Sequence, residues 1–313
     1  MTTIQQVLFE LETDYTGHPY YVTGNALYSA LARRVDSDTK RALAVSHGVF
    51  VPGEFGSYPE CHSQSGGVPY LGTSLRPVTR YADLFLFRDP THRWLSEARP
   101  RDVYNTHDLQ SHGGRQAFAP ATRFGRPPET RATKRSMTWY VHAYLHTGRD
   151  DDGLLPLSDS VLDGLRVGGA RNYGCGELSL AETQTVDLTA LEYTSLELTT
   201  QNEALELELL SPYVTTSEYP GADEQSIPWW WGVDGDLRRR QTRLIKGEDN
   251  YCLQTIDHGQ VVSYTGDAPV QTAINGVLRV GTHAKYGFGE FRLRPSTDDR
   301  VPARTNVGRR GEG

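Results

Sequence analysis

Arg171, Asn172, His283 and Lys285 are the side chains whose setting first suggests chemistry. The first two lie among Gly168, Gly169, Gly174 and Gly176; the last two follow Thr282 among Gly281, Gly287 and Gly289. A cation on a bend with exposed main-chain amides is a natural seat for a phosphate group. No Gly-Lys-Ser/Thr follows either segment, so neither is a Walker loop. The glycines close a helical stretch and open a strand, the reverse of a dinucleotide-binding fingerprint. Tyr173 and Tyr286 hold matching places, where a ring can stack on a base or pin its own loop. The same segments also fit a helix-to-strand connection that only packs.

The two segments are copies. Leu165 to Leu180 aligns without a gap on Leu278 to Leu293, 113 positions later, and nine of the sixteen positions are identical. Ordinary residue frequencies would give roughly one. A period this long is that of a duplicated small domain, not of a solenoid. Each copy must be placed by a helix before it and a strand after it. Ser158 is the expected N-cap of the first helix. Gly168 and Gly281 stand where a helix end favours a left-handed residue. Leu178 and Leu180, like Phe291 and Leu293, alternate with other residues as a half-buried strand requires.

Elsewhere, Ile4 to Leu11 reads as a first strand with Val7, Phe9 and Leu11 on one face, and Gly24 to Val35 as a helix with Leu27, Leu31 and Val35 inward. Asp83 to Phe87 reads as a strand, Met137 to Leu145 as another, and Ala204 to Leu210 as the first strand of a second unit beginning near Leu191. Between His92 and Arg135 apolar periodicity fades. Arg93, Arg99, Arg101, Arg115, Arg123, Arg126, Arg131, Lys134 and Arg135 are interleaved there with Trp94, Tyr104, Phe118 and Phe124. Cations among aromatics suit a nucleic-acid finger, and the stretch equally suits a solvated insertion. Leu237 to Arg243 is a second basic run. Trp229, Trp230 and Trp231 form a cluster divided between stacking, core and interface roles. Pro295 to Gly313 reads as a flexible tail.

Metal and redox chemistry find little support. His107, His112, His142 and His146 have no carboxylate or thiol at a convincing partner spacing, and Asp150 to Asp152 fit a solvated turn. Cys61, Cys175 and Cys252 are isolated; no disulfide framework or zinc knuckle is readable, and no cofactor is expected. No apolar run is long enough to span a bilayer, and the start lacks a signal-peptide layout, so a cytoplasmic protein without membrane contact is expected. The formal net charge is −7, and the lysines are only Lys40, Lys134, Lys246 and Lys285. That balance suggests a halophilic archaeon. In molar salt, exposed charges are screened within ~3 Å, so anion binding would lean on arginine forks, stacking and amides.

At the repeated segments the chain resembles the RAMP superfamily of CRISPR-associated proteins. Tyr21 to Leu31 is similar to the strand, turn and first helix of those domains, with Thr23 where proline is usual. Leu207 to Pro212 is similar to the leucine run and Ser-Pro that open a second domain. The resemblance implies an α+β fold of two tandem ferredoxin-like (RRM-like, βαββαβ) domains, each with a glycine-rich loop before its last strand. It implies a first domain over 1–188 with a basic thumb-like insertion at about 90–136, a second over 189–295, and a tail over 296–313. Glycine loops in both halves favour a two-domain subunit that holds the 5′ handle of a guide RNA in a type III-like antiviral effector complex. Its partners would be the CRISPR RNA or a similar small RNA, other RAMP backbone subunits and a large subunit. RNA contacts would come from the glycine-loop residues named above and from Arg123, Arg126 and Arg131. Two alternatives stay open. One is a metal-independent endoribonuclease of CRISPR transcripts using His47, which would take the 2′-hydroxyl proton with Arg33, Arg34 or Lys40 as a second cation; a structural histidine fits that position too. The other is a scaffold that touches no RNA.

Overall fold

The computed structural model describes residues 2–18, 21–52, 74–88, 123–124, 138–148, 153–199, 204–233, 235–247 and 249–296. Arg126, Arg131, His107, His112, Asp150 to Asp152, Cys61 and the tail from 297 lie outside them.

Strand β1 (Thr3–Leu11) is buried on both faces. Val7 and Phe9, with half-buried Leu11, join one apolar cluster, while Ile4 and Leu8 join two others on the opposite face. The short strands β2 (Tyr15–Thr16) and β3 (Tyr21–Val22) lead to α1 (Gly24–Leu31). Thr23 caps α1, its hydroxyl accepting from the Ala26 amide at 3.3 Å, and Leu27 and Leu31 point into the core. The helix stops short of Val35 because Asp36 starts a new one. Its carboxylate accepts from the amides of Asp38 and Thr39, both at 2.9 Å, opening α2 (Ser37–Ala42).

After β4 (Ala44–Val45) and β5 (Gly48–Pro52), the stretch expected as a strand is a 3₁₀ helix, Tyr81–Arg88. Tyr81, Leu84, Phe85 and Phe87 are all buried there. That spacing does not alternate, because the helix lies across the back of the sheet instead of extending it. Phe87 stacks on His142 at 4.6 Å, and the Tyr144 hydroxyl donates to the Leu84 carbonyl. Next come β6 (Arg123–Phe124), β7 (Trp139–His146), the single turn α3 (Asp159–Leu162), β8 (Leu165–Arg166) and β9 (Glu177–Asp187). Ser158 is the N-cap residue of α3 but makes no capping side-chain bond. This half forms a sheet ordered β3-β5-β7-β1-β9-β8, with β4 also on β7.

The second half opens with α4 (Thr194–Thr199) and β10 (Leu205–Leu209). It continues through β11 (Tyr213–Ser217), β12 (Trp231–Gly232), β13 (Arg239–Lys246), β14 (Asp249–Ile256) and β15 (Val261–Tyr264) to α5 (Pro269–Val277) and β16 (Phe291–Pro295). Its main sheet is ordered β12-β15-β10-β16; β11-β14-β13 form a separate sheet.

The fold is mixed α and β with antiparallel pairing throughout the named strands. Among the principal strands, β5-β7-β1-β9 and β12-β15-β10-β16 give the same order: second, third, first, fourth. Among the described residues the helix complement expected from βαββαβ is incomplete. There the first half has only one turn, α3, in its second crossover. In the second half the described residues between β10 and β12 hold the strand β11 and no helix. Within the tryptophan run, Trp231 is buried against Tyr213, Trp230 packs on Phe291, and Trp229 is exposed.

Candidate nucleic-acid interface

The glycine segments keep one backbone. Gly168, Gly174 and Gly176 have φ of 81°, 86° and 74°; Gly281, Gly287 and Gly289 have 86°, 92° and 79°. Ala170 and His283, each leading into one turn of 3₁₀ helix, are left-handed too. The Val167 amide donates to the Gly176 carbonyl at 2.9 Å, and that of Val280 to Gly289 at 3.1 Å. The amides of Gly176 and Gly289 reach back to the carbonyls of Asp14 and Pro212, at 2.8 and 2.9 Å. A β-carbon on Gly176 would land on the Val167 carbonyl, and one on Gly289 on that of Val280. Each bend therefore needs its glycine to close on itself, whatever else it does.

One expectation for these glycines is corrected. The left-handed residues that follow the helices are Gly164 and Arg279, with φ of 66° and 65°. Gly168 and Gly281 come later, where the chain passes the rings of Tyr15 and Tyr213.

The surroundings of the two bends differ. In loop 1, residues 168–176, Tyr173 is 83% exposed and Asn172 is exposed. The side chains of Arg171 and Asn172 make no hydrogen bond or ion pair among the described residues. Gly169 donates to the Thr16 carbonyl at 2.8 Å, and Thr16 pairs with Arg123 on β6. The backbone thus brings Arg123, from the basic insertion, beside loop 1.

Loop 2, residues 281–289, is docked on the first half, and its polar side chains have partners. The Lys285 ammonium donates to the Lys40 and Arg41 carbonyls at 2.9 and 2.8 Å, neutralising the C-terminal end of α2. His283 Nε2 shares a 2.7 Å hydrogen bond with the Ser217 hydroxyl, and Thr282 donates to the Asp223 carbonyl at 3.0 Å. Tyr286 meets Tyr28 edge-on at 5.1 Å, and Phe288 is buried. Burial lowers the His283 pKa; burial, then Lys40 and Lys246, lowers that of Lys285.

His47 sits beneath loop 2. It is 3% exposed, stacks on Tyr21 at 4.4 Å and meets Phe288 edge-on at 5.1 Å. Its Nδ1 accepts from the Gly24 amide at 2.8 Å. The lone pair that a base would use is therefore engaged, and burial holds the ring neutral with a pKa well below its usual value. Of the cations named with it, Arg34 instead donates to carbonyls at the end of α3.

Beside His47, Arg88 and Glu290 form a buried ion pair at 2.8 Å with side chains 3% and 0% exposed. Arg88 also donates to the Ser46 hydroxyl at 2.7 Å and the His47 carbonyl at 3.1 Å. The residue of loop 1 equivalent to Glu290 is Glu177, which pairs with Arg166 at 3.0 Å in solvent.

Several polar residues escape a linear reading. His18 lies against Tyr21 at 3.9 Å, and His258 meets the same ring edge-on at 6.0 Å. Asp257 contacts His258 Nδ1 at 3.0 Å. Burial, then Arg240 and His258, pushes the His18 pKa down to about 3. The basic run is exposed along β13 as Arg239, Arg240 and Arg243, preceded by Arg238. The basic run was the signal available in the sequence; the convergence of residues 18, 21 and 258 was not. His142 and His146 are buried in β7. Among the described residues, no group of three or more His, Cys, Asp or Glu could hold a metal ion, and no helix is long and apolar enough to cross a membrane.

No family model matches the chain, and no curated protein matches it. Fourteen chains of solved structures do match. One, described as "CRISPR associated protein Cas6", shares 12% identity with a TM-score of 0.38 over 92% of this chain and 98% of its own. A TM-score that low leaves the functional reading to this chain's own residues.

Proposed function

We propose that this protein binds RNA, gripping the backbone at loop 1, as the 5′-handle-holding subunit of a CRISPR-type ribonucleoprotein. The observation that carries the reading is the openness of loop 1: a bend built like loop 2, with Arg171, Asn172 and Tyr173 unengaged and Arg123 alongside. The halves over 1–188 and 189–295 are two ferredoxin-like units, a division supported by their shared strand order. Partner subunits of the same superfamily and a large subunit complete the particle. The test is fluorescence anisotropy with a labelled RNA of the CRISPR repeat sequence. Arg171→Glu with Tyr173→Ala weakens binding at least tenfold, combining one lost phosphate contact and one lost stacking surface. Unchanged affinity in the variant would sink the loop 1 reading, and a wild-type protein that binds no RNA would favour the scaffold.

A second reading, a metal-independent endoribonuclease, is favoured by His18 and His258 flanking Tyr21 near the arginines of β13. These two histidines, and not His47, are then the proton-transfer groups. His18, held neutral by burial, is the one that takes the 2′-hydroxyl proton, and His258 beside Asp257 is the one that protonates the leaving 5′-oxygen. Repeat RNA cut in the presence of chelator, and left intact by His18→Ala or His258→Ala, would establish it.

A further inference from the structure

Three of the four lysines in this lysine-poor chain meet at one place on the seam between the halves. Lys285 reaches the carbonyls of Lys40 and Arg41, and its ammonium lies 4.8 Å from the centre of the Tyr28 ring. Lys246 lies 4.9 Å over Tyr219 and donates to its hydroxyl. The Asn25 side chain, on α1, hydrogen-bonds the Ile245 carbonyl, which brings the end of the β13–β14 hairpin against the first half. Lys40 and Lys246 are exposed, and none of the three lysines has a carboxylate partner among the described residues. The nearby carboxylates are engaged otherwise: Asp249 accepts from the Tyr251 hydroxyl at 3.3 Å and Glu218 from the Cys252 amide at 3.0 Å.

Half-exposed rings run through these cations. Tyr251 touches Tyr219 at 5.0 Å, Tyr219 touches His283 at 5.5 Å, His283 lies 6.2 Å from Tyr286, and Tyr286 meets Tyr28 at 5.1 Å. Like charges gathered without a counter-charge repel, and an anion seated among them relieves that repulsion. Rings beside the cations supply what a single strand offers in alternation with its phosphates, a base face.

We infer that this seam is a second binding surface, specific for single-stranded polynucleotide, with Lys40 and Lys246 facing phosphates, Lys285 adding positive charge behind them and the tyrosines facing bases. The ligand class rests on the RNA-binding reading above; the site does not overlap loop 1. The row of rings is longer than one nucleotide, which favours a strand over free phosphate. A paired duplex keeps its bases stacked inside and cannot use them.

The probe is a fluorescein-labelled twelve-nucleotide oligouridine, titrated by anisotropy at several salt concentrations against the full chain. Lys40→Gln with Lys246→Gln raises Kd about tenfold and lowers the slope of log K against log salt by about 1.4, the value for two lost single-strand phosphate contacts. Tyr251→Ala raises Kd about tenfold with the slope unchanged. Both lysines are exposed, and a thermal melt matching wild type shows that the double variant folds. Wild-type Kd and slope in that variant, with Arg171→Glu still weakening binding, would overturn the seam site while leaving loop 1 intact. A wild-type protein that ignores the oligouridine overturns the seam site, and loop 1 falls with it only if the repeat RNA is ignored as well. Equal competition by a duplex of the same length overturns the single-strand assignment.

Discussion

Loops 1 and 2 share their left-handed glycines and closing hydrogen bonds, yet each stands on an Arg–Glu pair in the opposite setting. At loop 1, Arg166 and Glu177 are 52% and 37% exposed; at loop 2, Glu290 is wholly buried against Arg88. Duplication preserved the bend. What later packed over each copy set its role, so that loop 2 fastens one half to the other while loop 1 faces solvent. A glycine pattern therefore specifies a shape, and the shape alone does not say whether it grips a ligand or a neighbouring element.

The sharpest way to break the comparison is at those carboxylates. Glu290→Ala strands the Arg88 guanidinium in the interior and costs about 3–5 kcal/mol, read as a lowered midpoint in urea. Glu177→Ala, the same change on the exposed copy, costs at most about 1 kcal/mol. Equal losses would mean that the two loops are not differently employed.

Acid comes next. His47 and His146 near the seam, His142 behind the sheet and His18 beside Tyr21 all have folded pKa values below the usual 6.5, with burial as the first cause. The unfolded chain thus binds more protons than the folded one as pH falls below about 6.5. Stability is fully present above that value and declines below it, for His18 until about pH 3. Each histidine contributes a slope of about 1.4 kcal/mol per pH unit inside its window. Urea midpoints at pH 8 and pH 5 measure the sum, and His47→Gln, which removes one titrating group, makes the decline shallower.

A smaller contrast lies in the glycines. Gly174→Ala meets no atom within 4 Å, so it carries only the left-handed strain of about 1–2 kcal/mol. Gly287→Ala adds a collision with the His47 ring and costs more. A thermal melt of both variants ranks them.

Much of this was readable in the chain. The repeat, the strands read over Ile4 to Leu11 and Ala204 to Leu210, and the start of the helix at Gly24 all follow local rules of periodicity. What was hidden depends on distant partners. The stretch 83–87 reads as a strand because its apolar density is high, and only the sheet it covers makes it a 3₁₀ helix. Arg88 and Glu290 are 202 positions apart, and neither has a local signal of burial. Loop 2 looks as open as loop 1 in sequence, since His283, Thr282 and Lys285 are ordinary surface residue types whose partners come from Ser217, Asp223 and α2. The scarcity of lysine was visible, but the meeting of three of them was not, because α2, β13 and loop 2 come from three parts of the chain.

Amide hydrogen exchange of the full chain, with and without the twelve-nucleotide oligouridine, tests most directly whether one bend is open and its twin latched. Free protein should exchange fast over 170–172, where no backbone hydrogen bond holds the amides, and slowly over 286–290, and RNA should slow the first segment. Exchange at 170–172 that is already as slow as at 286–290, or that ignores RNA, would contradict the account.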